Sequence, residues 1–162
     1  MATVQNNIEI TSAACDASDG KLMGAAAVRR GVRRTLRALG LECLDEVPLR
    51  NSRRADVMAI GPQSQIWIVE IKSSIADFRA DQKWPEYWEC CDQLYFAVAP
   101  DFPLEILPAS AGLILADAYG GDVIRHPEPC PLAASRRKAI TLAFGRLAAA
   151  RLQNLIDPAQ ML

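Results

Sequence analysis

Arg53-Arg54-Ala55-Asp56-Val57 and, further along, Ile68-Val69-Glu70-Ile71-Lys72 are the stretches that decide how this chain is read. Side chains two apart on a strand share a face, so Ile66, Ile68, Glu70 and Lys72 point one way and Trp67, Val69 and Ile71 the other. Glu70 and Lys72 are then neighbours, roughly 7 Å apart along the strand. The turn-rich segment between the two stretches is Gly61-Pro62-Gln63-Ser64, which predicts a hairpin of Asp56 to Ile60 with Ile66 to Lys72. That pairing brings Asp56 level with Glu70 and Lys72. Two carboxylates and a nearby carbonyl oxygen suit a hard cation such as magnesium. An ammonium beside them orients an attacking water or offsets charge growing on a phosphate. Taken alone, E-x-K is an ordinary strand-end ion pair; here its strands are almost entirely apolar and so buried on both faces, where an unpaired carboxylate is costly.

Outward from that hairpin, 162 residues with 51% hydrophobic and 23% charged content describe a globular chain able to bury a core. No apolar run reaches the ~20 residues of a membrane span, and the first residues lack a secretory pattern, so the expected location is the cytoplasm. Cys15, Cys43, Cys90, Cys91 and Cys130 show neither C-x-x-C spacing nor pairing with His126, which speaks against zinc and disulfide frameworks. A formal net charge of −1 excludes binding nucleic acid through the whole surface and leaves local patches.

One such patch lies on a helix expected from Lys21 to Leu39. Ala25, Val28, Val32, Leu36 and Leu39 form its apolar stripe, and Arg29, Arg30, Arg33, Arg34 and Arg37 the adjoining arc, with Gly40 ending it. Arginines without an acid among them suit phosphates; a solvated face is the plainer alternative. Residues 1–19 read as a loosely ordered lead-in and 20–162 as one domain. Leu41 to Leu49 is a strand with one polar side, placing Glu46 toward the same site. Two short helices follow the hairpin, Ile75 to Gln82 and Pro85 to Asp92, with Trp84 closing the first. Leu94 to Ala99, Leu113 to Ala116 and Val123 to His126 read as further strands. Ala133 to Ile156 reads as a long helix with Ile140, Leu147, Leu152 and Leu155 toward the core. Trp84, Tyr87 and Trp88 share about one helical face and read as core before base-stacking platform.

The order helix, three strands, helix, strand, with Asp56 and Glu70-Ile71-Lys72 on the second and third strands, resembles the PD-(D/E)XK nuclease superfamily. Ala55 stands where that family name has proline. Arg30-Gly31-Val32, Arg53 to Val57, Val69 to Ser74, Asp77 to Trp84 and Ser135 to Ala139 together look like the MmcB-like DNA repair proteins of bacteria. The resemblance implies a restriction-endonuclease-like α/β fold (αβββαβ, a central mixed sheet flanked by helices) and a metal-dependent DNA nuclease acting in repair. Asp56, Glu70 and the Ile71 carbonyl would hold Mg2+, with Mn2+ substituting, and Lys72 would position the attacking water. Glu46 joins the catalytic candidates in place of an acid missing from the first helix, and Asp77, Asp81, Gln82 and Lys83 are polar candidates on the next one. Arg30, Arg33, Arg34, Arg53, Arg54 and Lys83 would contact DNA, damaged or structured. No membrane is expected as partner; a second copy of the chain and other repair proteins stay open. The alternative is a catalytically inactive nuclease-fold module that binds or recruits without cutting, since fold alone does not fix function.

Overall fold

The structure, a computed structural model, describes residues 17–158. Of the expected lead-in, residues 1–16 lie outside that range, while α1 (Ala17–Ala38) already takes in residues 17 to 20, earlier than the expected start at Lys21. Then come β1 (Glu42–Pro48), β2 (Arg54–Ile60), β3 (Ile66–Lys72), α2 (Ile75–Ala80), β4 (Gln93–Val98), β5 (Gly112–Ala116), β6 (Gly121–Arg125) and α3 (Ala134–Ile156). The expected αβββαβ order is present in α1 to β4. All six strands form one mixed sheet in chain order, β1-β2-β3-β4-β5-β6. The outer pairs β1–β2, β2–β3 and β5–β6 run antiparallel, and β3–β4 and β4–β5 run parallel.

Alternation along the strands builds two apolar layers. Trp67, Val69, Ile71, Tyr95 and Ala97 pack against Val28, Val32 and Leu36 of α1. Ile66, Ile68 and Leu94 pack with Tyr87, Cys90 and Ile140 on the other face. With both faces covered, β3 is buried along its whole length. Gly31 lets α1 sit directly on the β5–β6 connection, because a Cβ there would meet the carbonyl oxygens of Asp117 and Gly120. Gly40, at φ +77, stops the helix in a conformation that other residues resist.

Several local expectations shift. Leu39 is 51% exposed rather than part of the α1 stripe, because the chain has already turned away at the helix end. α2 ends at Ala80, so Trp84 opens the next element instead of closing the first, and that element is a 3-10 helix, Trp84–Cys90, with Pro85 in its first turn. On α3, Ile140 is buried and Leu147 partly so, but Leu152 and Leu155 are 57% and 81% exposed. α3 packs mainly on β1 and the 3-10 segment, so its last turns run beyond what could cover them. Trp84, Tyr87 and Trp88 pack with the apolar clusters, Trp84 edge-on to Phe96 at 5.6 Å, as the core reading expects.

Candidate active site

β2 and β3 part at the end of their ladder, and the site lies where they part. Their last backbone pair is Val57 with Val69, whereas β2 stays paired with β1 as far as Arg54 and β3 with β4 as far as Lys72. In the gap the two acids stand in for missing carbonyl acceptors. The Asp56 N–H donates to Glu70 Oε1 (3.2 Å), and the Ile71 N–H donates to Asp56 Oδ2 (2.8 Å). Buried amides need such partners, so the carboxylates brace the splayed strands as well as lining the cavity beside them. That open cavity, about 380 Å³, is lined by Asp56, Glu70, Ile71, Lys72, Arg29 and Tyr87 among others.

Lys72 is buried at 4% exposure, its Nζ 2.5 Å from Asp81 Oδ2 and 3.9 Å from Glu70 Oε2. Asp81 caps the C-terminus of α2 and also accepts the Lys83 N–H, so the turn after α2 aims its carboxylate at the lysine. Of the polar candidates on that segment, Asp77 and Asp81 both line the cavity, and Asp81 is the one that meets the lysine. Asp77 is engaged in capping, accepting from the Ser73 N–H and hydroxyl while its own N–H donates to Ser74 Oγ. Gln82 donates to the Arg79 carbonyl.

Burial pushes the Glu70 carboxyl up to about 8, with the Asp56 charge adding to it and Lys72 opposing. Burial raises Asp56 as well, against the Ile71 hydrogen bond and the charges of Lys72 and Arg29. Asp81 goes the other way: burial would raise it, but the hydrogen bond from Lys72 outweighs this and holds the carboxyl below the usual range. Because Glu70 holds its proton more tightly folded than unfolded, folding takes up a proton between pH 4.5 and about 8, and stability falls as pH rises through that window. In a chelator, wild type is therefore expected to lose melting temperature relative to Glu70→Gln as pH is raised from about 5 to about 9. Added Mg2+ should close the gap by stabilising the wild type alone; parallel melting curves across that range would remove the claim.

The basic candidates are mostly engaged within the protein. Arg33 pairs with Asp45 at 3.1 Å, and Arg34 donates to the carbonyls of Ala118 and Tyr119. Arg53 forms a two-pronged pair with Glu86 at 2.8 Å for each bond. Arg54 lies 2.5 Å from Glu46. Among the described residues Arg30 and Lys83 are exposed and form no ion pair. Glu46 sits across from Asp56 in the β1–β2 register, at φ 50, which bends the strand and frees the carbonyls of Asp45 and Glu46 for Arg151 of α3. Its carboxylate is held by Arg29 at 2.8 Å and by Arg54, and it is not in the cavity lining.

Two residues at the site escape a reading by pattern. Arg29 reaches from α1 to within 3.9 Å of Asp56 Oδ1, and Tyr87 donates its hydroxyl to the Arg54 carbonyl. Arg29 lies one position past the buried Val28, as Arg33 and Arg37 do past Val32 and Leu36, so its place on the arc does not single it out.

For a metal ion, the relevant test is the donor set. Asp56 Oδ1 and Glu70 Oε2 accept no hydrogen bond among the described residues, and a Glu70 carboxyl raised toward 8 is one that a cation would ionise. Two hard oxygens with room for water fit magnesium, which keeps much of its hydration. No group of three or more His, Cys, Asp or Glu side chains among the described residues forms a metal cage.

An open mixed sheet with one buried and one part-buried carboxylate and a lysine at the splayed end of adjacent strands defines an α/β protein with an acid-lined polar cleft. The chain belongs to the MmcB-like family, described as DNA repair protein MmcB-like, whose model matches residues 12–159. It is also similar to a solved structure of a protein of unknown function from Silicibacter pomeroyi, at 46% identity and a TM-score of 0.80, over 86% of this chain and 95% of that one. None of the curated proteins matches it. No helix among the described residues is long and apolar enough to cross a membrane.

Proposed function

We propose that this chain is a magnesium-dependent DNA nuclease of the PD-(D/E)XK type acting in DNA repair, with residues 20–162 as its one nuclease-like domain. The observation that carries the reading is the pair Asp56 and Glu70, two carboxyls set in the gap between splayed strands where burial disfavours their ionised form, with the Lys72 ammonium 3.9 Å from one of them. Acids perturbed by burial and facing one polar cavity with a lysine mark a candidate functional site, and Asp56, Glu70 and Lys72 line the same cavity. Asp56 and Glu70 would hold Mg2+ or Mn2+, with the Ile71 carbonyl as a further oxygen. When bound, the ion supplies a more acidic water and neutralises charge on the scissile phosphate. Lys72, held by Asp81, donates toward the attacking water or a phosphate oxygen. DNA, damaged or structured, would meet the exposed Arg30 and Lys83 first, while Arg33, Arg34, Arg53 and Arg54 reach phosphates only by exchanging their present partners. Other repair proteins and a second copy of the chain are the further partners in this reading.

The second reading is a nuclease-fold module that binds or recruits without cutting. It is favoured by the engagement of four of the basic candidates within the protein and by a donor set of only two free acids. Incubating the protein with damaged, branched and single-stranded DNA in Mg2+, Mn2+ or chelator separates the two. Metal-dependent products support the nuclease; binding with no product under any metal selects the module.

A further inference from the structure

We infer that Arg29 is a built-in second cation of this site, so that the cleft takes a single divalent ion between Asp56 and Glu70 while the guanidinium meets the phosphate. This rests on the metal-dependent reading above.

A site that holds two ions about 3.5–4 Å apart needs carboxylates enough to bridge and flank both. Here the supply runs out after two. Glu46 is clamped by Arg29 and Arg54, Asp81 by Lys72, and Asp77 by the Ser73 amide and hydroxyl. The position beside Asp56 Oδ1, the oxygen that the Ile71 amide leaves free, is faced by Arg29 Nη2 at 3.9 Å. That separation is too long for a strong hydrogen bond and short enough for the charge to be felt across a partly desolvated cleft. Glu46, 2.8 Å from the same nitrogen, fixes the guanidinium so that it cannot swing out. The buried Arg29 Nε is closed to a ligand, but Nη1 has no acceptor among the described residues, so the donor fork is not saturated where it lines the cavity. A planar fork with spare donors at the rim of an acid cleft fits a phosphodiester oxygen, which a guanidinium binds with directional hydrogen bonds. The same charge repels a second divalent ion from Asp56.

The experiment is a calorimetric titration of the full chain with Mn2+, in wild type, Arg29→Gln and Arg29→Lys. Gln keeps a donor for Glu46 and loses the charge; Lys keeps the charge. Expected are one ion per wild-type chain, about tenfold tighter Mn2+ binding or a second ion in Arg29→Gln, and wild-type behaviour in Arg29→Lys. Single-stranded DNA, titrated in Ca2+, should bind Arg29→Gln about tenfold more weakly. Two ions per wild-type chain, or an Arg29→Gln variant whose Mn2+ affinity and stoichiometry match wild type, overturns the role of Arg29 and leaves the nuclease reading standing. Tightened Mn2+ binding in Arg29→Lys overturns it too, since charge would not be the cause. A wild type that takes up no Mn2+ at all overturns both together.

Discussion

Lys72→Met is expected to lower metal-dependent DNA cleavage by about 10²- to 10³-fold while the protein still melts cooperatively. Methionine fills the aliphatic volume of a side chain that is 4% exposed and removes only the ammonium. In the wild type that ammonium lies 2.5 Å from Asp81 and 3.9 Å from Glu70, placed by a neutralising partner on one side and offered to the cleft on the other. Its loss takes away the donor closest to the acids and drives Glu70 further toward its protonated form, since Lys72 is the charge that opposes the upward shift. Two effects on one reaction make this the largest change in activity expected from a single substitution. Mn2+ binding measured beside cleavage separates them: a variant that binds Mn2+ and does not cut has lost the donor. A variant that cuts as fast as wild type removes Lys72 from the chemistry.

Asp92→Ala is expected to cost about 3–5 kcal/mol of folding stability, the largest thermodynamic effect of any single change considered. Asp92 is 6% exposed and takes four bonds: from the Ile66 N–H (2.7 Å), the Leu132 N–H (2.9 Å) and both terminal nitrogens of Arg137 (2.5 and 2.6 Å). It thereby joins the first residue of β3, the approach to α3 and the first turn of that helix. Burial alone would raise its carboxyl, but Arg137 and the two amides outweigh that and hold it below the usual range. A carboxyl depressed in the fold lends stability above its ordinary value near 3.8, and that contribution fades as the solution is acidified through the lowered value. At neutral pH the variant leaves the Ile66 and Leu132 amides without this acceptor and the Arg137 guanidinium with only the Ser64 carbonyl. For a chain of this size the melting temperature should drop on the order of 10 °C. A drop of only a degree or two, measured by circular dichroism, would mean that water replaces the carboxylate at little cost.

How much of this was legible beforehand depends on the kind of signal. The hairpin of β2 and β3 was readable because its turn and its unbroken apolar runs are both local, and the register puts Ile60 opposite Ile66 as the turn position requires. Asp56 and Glu70 could be placed side by side by counting alone. What counting could not give is the parting of the strands at that point, since it arises from each acid replacing a carbonyl of the partner strand. The arginines of α1 show the same limit in another form. Their shared arc says that they neighbour one another, but Asp45 and Glu46 come from β1 and the carbonyls of Ala118 and Tyr119 from the distant β5–β6 connection, which the helix's own period does not place. Periodicity placed Leu152 and Leu155 on the inner side of α3, and only the extent of the sheet beneath them decides that nothing lies there. Asp81 falls between: its residue type and spacing make it a candidate, while its aim at Lys72 follows from α2 stopping at Ala80.

The sheet whose spatial order repeats its chain order carries a kinetic corollary. Every strand docks against the one made just before it, so assembly proceeds by successive short closures and never waits for a remote segment to arrive. Each doubling of a connecting segment adds only about 0.6 kcal/mol of closure entropy. The antiparallel hairpins at both ends are the cheapest to close and would form ahead of the parallel middle, whose connections are the longest. The acids that face each other across the β2–β3 hairpin would then be brought together among the earliest events in folding, before the helices that bury them have settled.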